Sequence, residues 1–261
     1  GLFPATLAFA EATNTTDSHS FLTDIVIGYE LGSRLATSLH GTTSDYHTSG
    51  AWISIAVAAI GARRLGLSQE KTKHALGIAE YHGPRSQMMR CIDHPTMLKD
   101  GSGFGAMAGV SAAYLAENGF SGAPAITMDS DDTISFWKDL GQKWLIKEQY
   151  FKPYPVCRWA QAPIEAVLNL KFKHNISSKD VKNIEIHTFH EAIRLAISEP
   201  KTTEEAQYST SYPCAVALVN GDVGVKEVSE NSFRDPETLR ISKSLKMMEN
   251  DYCNSQFPSQ R

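Results

Sequence analysis

Residues 49–65 constrain the fold of this chain more than any other segment. Drawn as a helix, the segment SGAWISIAVAAIGARRL is apolar and rich in small residues on nearly every side. Such a helix is stable only when other parts of the protein cover it all round. Arg63, Arg64 and Gly66 are typical of a helix C-terminus, where cations meet the negative end of the dipole. The sequence therefore predicts a helical domain with this segment at its centre.

The first half of the chain has helical spacing throughout. Apolar residues recur at helical intervals across 21–39, and Ser68 is a typical N-cap for the helix that follows it. Residues 103–117 repeat the alanine- and glycine-rich pattern, which lets neighbouring backbones approach closely. The predicted helices of this half are Pro4–Ala12, Phe21–Leu39, Ser49–Leu65, a helix from Ser68 to about Tyr81, and Gly103–Glu117.

The second half mixes helices with a strand. Two prolines in FKPYPVCRW, residues 151–159, exclude a regular helix there. Residues 181–189 alternate apolar and polar side chains, which is the pattern of a half-buried strand. The predicted elements are the strand Val181–Phe189 and the helices Asp132–Leu145, Ala160–Leu170, Thr203–Asn220 and Asp235–Asn250. We therefore predict a mainly α-helical domain over 1–145 and a smaller α+β domain over 146–261.

Composition and charge narrow the function classes. The chain has 261 residues and a formal net charge of −4, so we expect no nucleic-acid partner. The longest apolar run, Ala51–Ala62, is too short to span a bilayer, and we expect no membrane contact. The four cysteines lie far apart without a CxxC pair, which fits reduced thiols in the cytoplasm. Because no set of side chains has metal-site spacing, we expect neither a metal nor another cofactor.

Two unusual loops carry the candidate chemistry. One is the polar stretch 84–109, PRSQMMRCIDHPTMLKDGSGFGAMAG, and the other is 151–159. Their basic residues are Arg85, Arg90, Lys99, Lys152 and Arg158. Arginine binds carboxylates through two parallel hydrogen bonds, although each basic residue taken alone could equally be a solvated surface charge. Their grouping on two such loops predicts a site for an anionic small molecule.

His47 and Lys99 each precede a predicted small-residue helix. If the two helix N-termini open on a common cleft, their dipoles and free N–H groups favour an anion there. A histidine in that place can move protons near neutral pH, and the alternative is a structural, hydrogen-bonded histidine. The glycine pattern at 103–108 lacks the preceding strand of a dinucleotide site. A nucleotide-dependent oxidoreductase is therefore the weaker alternative.

Seven stretches of the sequence carry a more specific signal when taken together. They are FPATLAFAEA (3–12), DIVIGYELGSRL (24–35), the His-x-x-Gly pattern at 47–50, ARRLGLSQEKTKHALGIA (62–79), LKDGSGFGAMAGVSAAYLAENGFSG (98–122), FKPYPVCRWAQAPIEA (151–166) and EEAQYSTSYPCAVAL (204–218). In these stretches the chain resembles the MmgE/PrpD family, which includes 2-methylcitrate dehydratase, cis-aconitate decarboxylase and iminodisuccinate epimerase.

The resemblance implies a helical domain, an α+β lid domain, and an active site between them. It also implies a homodimer and metal-independent lyase or epimerase chemistry on a di- or tricarboxylate. It places the family's active-site histidine on His47 and its two active-site lysines on Lys99 and Lys152. The substrate-binding candidates are Arg85, Arg90, Arg158 and Tyr208. A 2-methylcitrate dehydratase-like hydro-lyase is the first hypothesis, with a decarboxylase, an epimerase and a non-catalytic carboxylate binder as alternatives.

The chain departs from the family pattern at three places. An upstream D-x-D-D-T run with a following histidine is absent, and so is the C-terminal return to the helical domain, so we expect a chain truncated at both ends. The spacing from Lys99 to the next helix is one residue shorter than in better-known members. A histidine that they often carry in this loop is replaced in the region of Ser102 and Gly103.

Overall fold

A computed structural model of the chain describes residues 1–15 and 17–257, which divide into two compact units. The first unit comprises Gly1–Arg90 and Leu98–Gln149. The second comprises Cys91–Met97 and the chain from Tyr150 onward. The second unit is therefore discontinuous in sequence, because a short segment of the long polar loop belongs to it.

The first unit is built from α-helices. They are α1 (Leu2–Ala12), α2 (Ser18–Thr42), α3 (Gly50–Arg64), α4 (Gln69–His82), α5 (Met88–Asp93, whose last three residues count with the second unit), α6 (Ser102–Glu117) and α7 (Ile126–Asp129). Helices α1, α2, α4 and α6 all pack against α3. Ile55, Val57 and Ile60 of α3 are buried on different sides of that helix. The predicted central helix is confirmed.

Side chains mark the ends of these helices as the sequence indicates. The Ser68 hydroxyl accepts the N–H of Lys71 and caps α4. At the C-terminus of α3, Arg63 and Arg64 both pair with the carboxylate of Asp24 on α2. Asp24 is fully buried, and breaking a buried ion pair costs far more than losing an exposed one. The two arginines therefore tie α3 to α2 as well as ending α3.

The helix predicted over Asp132–Leu145 is wrong. The chain there forms a 3₁₀ turn at Asp131–Phe136 and another at Leu145–Glu148, joined by irregular backbone. The buried guanidinium of Arg34 on α2 donates to the carbonyl oxygens of Phe136 and Lys143 at 2.7 and 2.8 Å. Arg34 thus satisfies backbone carbonyls that would otherwise need helical hydrogen bonds. The segment therefore packs against α2 as irregular backbone instead of forming a helix.

The second unit combines helices with a two-stranded sheet. Its elements are α8 (Arg158–His174), β1 (Ile184–Thr188), α9 (Thr203–Gln207), α10 (Ser211–Asn220), α11 (Pro236–Ser244), β2 (Leu245–Glu249) and α12 (Asp251–Gln256), with 3₁₀ turns at Ser178–Asp180, His190–Arg194 and Glu230–Ser232. Strands β1 and β2 are parallel, with Ile184 opposite Leu245 and Thr188 opposite Glu249. The predicted strand at 181–189 is confirmed over its central residues.

The single helix predicted over Thr203–Asn220 is two helices, because the backbone bonds elsewhere at the junction. The predicted start is confirmed, since the Thr202 hydroxyl caps α9 by accepting the N–H of Glu205. The N–H of Thr210 then donates to the carbonyl of Leu195 at 2.7 Å instead of continuing α9. Pro213 lies in the first turn of α10, where its missing N–H has no helical acceptor to lose.

The helix predicted over Asp235–Asn250 is correct only in its first part. Helix α11 ends at Ser244, and the next five residues form β2. Leu245 is buried, and Met247 packs against the same core. Pairing with β1 satisfies the backbone hydrogen-bonding groups of both strands. Local helical propensity cannot predict a strand that depends on this distant partner. With these corrections the chain is a mainly helical unit and a smaller α+β unit.

Candidate active site

His47 lies three residues before the start of α3 with its ring largely buried, at 6% exposure. Its Nδ1 is 2.8 Å from the carbonyl oxygen of Asp45. A carbonyl oxygen only accepts hydrogen bonds, so Nδ1 carries the hydrogen, and Nε2 is the nitrogen that can accept a proton in the neutral ring. The backbone N–H of His47 donates to Nε2 of His40 at 3.2 Å. The ring is thus held in one tautomer by the local backbone.

The strand-like backbone around His47 pairs with the start of the long polar loop. His47 and Gln87 form an isolated antiparallel bridge, with Thr48 N–H bonded to the Ser86 carbonyl at 2.8 Å. Arg85 and Arg90 lie in this loop and are both exposed. Arg85 also lines a narrow cleft with Trp52 and Glu80. The pairing therefore brings His47 close in the fold to the segment that carries both arginines.

The N-termini of α3 and α6 meet, as the sequence-based argument about anion binding requires. The hydroxyls of Ser49 and Ser102, which flank the two helix starts, are 2.5 Å apart. The N–H of Gly50 donates to the carbonyl of Asp100 at 3.1 Å. Gly50 and Gly105 are in backbone contact, so two small residues allow this approach. The partial positive charges of both helix ends therefore lie together.

Lys99 lies in the turn that leads into α6, two residues before Gly101. Its φ angle is +52°, in the left-handed region that non-glycine residues rarely adopt. Gly101 has a φ of +65°, and its N–H donates to the carbonyl of Leu98 at 3.1 Å. Lys99 is half-buried at this turn. Lys99 therefore lies only a few residues in sequence before the point where the N-termini of α3 and α6 meet.

Thr48 is a further candidate site residue, which was not predicted from the sequence. Its hydroxyl oxygen is buried and has no hydrogen-bond partner within the described residues. It lies at the start of α3, between His47 and Ser49. A buried unpaired hydroxyl is costly, so it is available to donate to or accept from a bound molecule. The sequence signal was present in the His-x-x-Gly pattern, which we assigned to the histidine alone.

Lys152 belongs to the second unit, in the proline-containing loop before α8. It is exposed, and its Nζ donates to the carbonyl oxygen of Val156 at 3.1 Å. Gln161 of α8 holds this loop, because its side chain forms hydrogen bonds to the backbone of Tyr154 and Val156. Gln161 was not predicted from the sequence. The available signal was a polar residue on the face of α8 that also carries the buried Ala160, Ile164 and Leu168.

Arg158 and Tyr208 are neighbours of the Lys152 loop in the same unit. The guanidinium of Arg158 lies over the Tyr150 ring at 5.0 Å, and its Nε bonds to the Tyr150 hydroxyl. Beside it is an open groove of about 500 Å³. Tyr208 follows α9 directly, and the carbonyl of its neighbour Gln207 accepts the N–H of Cys157 at 2.8 Å. Backbone bonding thus links the three candidates of this unit.

The candidate residues therefore form two sets. His47, Lys99, Arg85 and Arg90 lie in the first unit, and Lys152, Arg158 and Tyr208 lie in the second. The assembly of both sets into one site stays a prediction from the family resemblance. Among the described residues, no three His, Cys, Asp or Glu side chains cluster as a metal site. All four cysteines are free thiols.

Comparison with known protein families matches both parts of the chain. The MmgE/PrpD N-terminal domain matches residues 1–137, and the MmgE/PrpD C-terminal domain matches residues 154–261. The chain belongs to the MmgE/PrpD family. Across residues 1–15 and 17–257, no helix of this family member combines the length and the apolar character needed to cross a bilayer.

Three curated proteins are similar to the chain. Cis-aconitate decarboxylase of Aspergillus terreus is 22% identical over 94% of this chain and 56% of its own length. The probable 2-methylcitrate dehydratase of Saccharomyces cerevisiae is 24% identical over 78% of this chain and 43% of its own length. The cis-aconitate decarboxylase-like protein oryM of Aspergillus oryzae is 29% identical over 46% of this chain and 27% of its own length. The chain thus spans at most just over half the length of these relatives.

Proposed function

We propose that this protein is a metal-independent lyase that acts on a small di- or tricarboxylate, as a 2-methylcitrate dehydratase-like hydro-lyase. The observation that carries the proposal is the arrangement at the joined starts of α3 and α6. There the buried ring of His47 presents Nε2 as a proton acceptor, and Lys99 lies in the adjoining turn. Kinship to a probable 2-methylcitrate dehydratase supports the choice of reaction.

The proposed chemistry starts with removal of a proton next to a substrate carboxylate. His47 takes the proton, which leaves a carbanion or enolate whose negative charge grows on the carboxylate. Lys99 and Lys152 supply positive charge for it, and the joined helix ends add their dipoles. Arg85, Arg90, Arg158 and Tyr208 bind the remaining carboxylates and hydroxyl of the substrate. The β-hydroxyl then leaves as water, taking up the proton that His47 has removed, and this completes the dehydration.

Decarboxylation is the second candidate, because two of the relatives are named cis-aconitate decarboxylase or its like. In that reaction His47 starts in its protonated form, CO₂ leaves, and His47 donates its proton to the carbanion. An epimerase would return the proton to the opposite face of the same carbon. A non-catalytic carboxylate binder would use the same cations without turnover.

A panel assay tests the proposal. The full-length protein is incubated in D₂O with 2-methylcitrate, cis-aconitate and iminodisuccinate, and products are identified by NMR. We expect a new alkene from 2-methylcitrate, and a fall in kcat/KM of about 10²–10⁴-fold in His47→Ala, because a positioned base contributes that much. Lys99→Ala and Lys152→Ala should fall in the same direction. His19→Ala, an exposed histidine at the start of α2, is the control.

Two results would contradict the assignment. If the His47, Lys99 and Lys152 variants all fold and keep normal kcat/KM, the site is wrong. If a chelator abolishes the activity, the reaction is not metal-independent. Binding of citrate-like acids without turnover of any panel member would instead favour the binder.

We further propose that the protein is a cytoplasmic homodimer. Its free cysteines support a reducing compartment. Self-association is supported by apolar side chains of the first unit that protrude from α1 and α6. Phe3, Leu7, Phe104 and Met107 are between 42% and 63% exposed, and the two helices contact each other.

A further inference from the structure

Gln161 is buried on α8 with 5% exposure, directly beneath the loop that carries Lys152. Its Oε1 accepts the N–H of Tyr154 at 3.2 Å. Its Nε2 lies 3.1 Å from the carbonyl oxygens of both Tyr154 and Val156, and 3.4 Å from that of Cys157. A single side chain therefore meets one donor and three acceptors of the loop backbone.

Within the loop the Val156 N–H donates to the Tyr154 carbonyl at 2.9 Å, and Gln161 supplies further partners that the loop lacks. Pro153 and Pro155 have no N–H to donate, and they exclude helical or ladder bonding around them. A buried amide without partners costs about 1–3 kcal/mol, and unpaired buried backbone groups cost as much. The hydrogen bonds between Gln161 and the loop satisfy both the buried side-chain amide and the buried backbone groups of the loop. Gln161 of the helix that follows therefore holds the loop at Tyr154 and Val156, alongside the backbone bond from Cys157 to Gln207.

Lys152 shares one of these acceptors. Its Nζ donates to the carbonyl oxygen of Val156 at 3.1 Å, the same distance at which Gln161 Nε2 donates to that oxygen. The carbonyl has two lone pairs, so it can accept both bonds. The direction of the carbonyl, set by Gln161, therefore decides where the ammonium of Lys152 is held.

We propose that Gln161 is a positioning residue that orients Lys152 toward the bound carboxylate by fixing the carbonyl of Val156. The proposal rests on the proposed function in one respect, namely that Lys152 contacts the substrate. Gln161 itself does not touch the substrate. Its effect on binding or turnover passes through Lys152, and this distinguishes it from a residue that only stabilises the fold.

A double-mutant cycle on the full-length protein tests this dependence. Gln161→Met removes every polar contact while keeping the volume, and Gln161→Glu keeps the acceptor but loses the donors. We expect each to lower kcat/KM by about 10²-fold, the scale of an ångström-sized misplacement, and to weaken citrate binding measured by calorimetry. In a Lys152→Met background the same Gln161 change should alter neither quantity by more than about threefold, because its target is gone. Asn169→Ala, an exposed amide on the same helix, is the matched control.

Hydrogen exchange supplies a readout that needs no activity. The amide of Tyr154 should exchange faster in Gln161→Met, which loses the acceptor Oε1, than in the wild type, and Asn169→Ala should leave it unchanged. If Gln161→Met costs the same factor with and without Lys152, or if exchange in the loop does not change, the positioning role is wrong. If the wild type neither binds citrate nor turns over any acid, the proposed function fails, and exchange still decides whether Gln161 fixes the loop. Gln161→Glu keeps the test valid if Gln161→Met does not fold.

Discussion

At the scale of single residues, Lys99 has a backbone conformation that its side chain does not favour. Three non-glycine residues of the described chain have positive φ: Asn14, Asn175 and Lys99. Asparagine visits this region with little penalty, whereas a lysine there is held by its surroundings at a cost of about 1–2 kcal/mol. Strain of this kind collects at functional sites. The turn therefore favours a role for the Lys99 ammonium itself.

Replacing Lys99 by glycine separates strain from function. Lys99→Gly and Lys99→Ala both remove the ammonium, but only glycine relieves the left-handed φ. We expect Lys99→Gly to be more stable than Lys99→Ala by about 0.5–1 kcal/mol in urea unfolding, and both to lose activity. The opposite order of stability would mean that the turn relaxes without strain. Normal activity in either variant would remove Lys99 from the site.

Sequence reasoning found residues whose neighbours in the chain have a distinctive pattern. His47 and Lys99 were found because each precedes a small-residue helix, and the starts of those helices do meet. Gln161 was missed because its partners lie four to seven residues upstream in an irregular loop. No periodicity describes such a loop, so the contacts follow only from the folded backbone. Whether Lys152, Arg158 and Tyr208 act with His47 stays a prediction.

At the scale of elements, the contact between α3 and α6 determines the geometry around His47. A Cβ atom on Gly105 would lie 2.5 Å from the carbonyl oxygen of Gly50 and 2.8 Å from its Cα. Both atoms belong to the backbone and cannot rotate away. The two helix starts can meet only while this position has no side chain.

A pair of alanine substitutions in α6 tests this contact. Gly105→Ala should destabilise the protein by about 1–3 kcal/mol through overpacking, and should lower activity by separating the helix starts. Gly103→Ala is the matched control, because no atom lies within 4 Å of its added Cβ. It should be neutral or stabilising by up to about 1 kcal/mol, since alanine is the better helix former. Thermal unfolding of both variants gives the comparison, and equal melting temperatures would contradict it.

Helices with a clear apolar pattern were predicted, and elements fixed by distant partners were not. The helices at α1 to α4, α6 and α8 follow the spacing of their own residues. The Asp132–Leu145 segment is irregular because Arg34, about a hundred residues earlier, binds its carbonyls. Strand β2 exists because β1 lies beside it. In both cases the deciding interaction is remote in sequence, so local propensity favoured a helix.

At the scale of the whole molecule, the protruding apolar side chains of α1 and α6 bear on the proposed homodimer. Substituting Leu7→Glu and Met107→Glu together places two charges on this surface, and charge is depleted at the core of dimer interfaces. We expect the double variant to be monomeric by light scattering after size-exclusion chromatography, while the wild type is a dimer. Phe172→Glu, an exposed apolar position on α8 of the second unit, should leave the dimer intact.

Two outcomes would count against this surface. A wild type that is monomeric at micromolar concentration would show that no homodimer forms. A dimer that survives the double substitution would show that subunits associate through another part of the protein.

Residues Cys91–Met97 lie within the first half of the sequence but belong to the second unit. This limits where the gene could be cut to exchange one unit with a relative. Cys91 and Ile92 are buried and belong to that unit, and Asp93 forms a two-bonded ion pair with Arg194. A chimaera that joined residues 1–149 to the second half of a relative would transplant Asp93 without its partner Arg194. A compatible exchange must carry the short segment along with the second half. Recombination therefore has no single crossover point that keeps both halves whole.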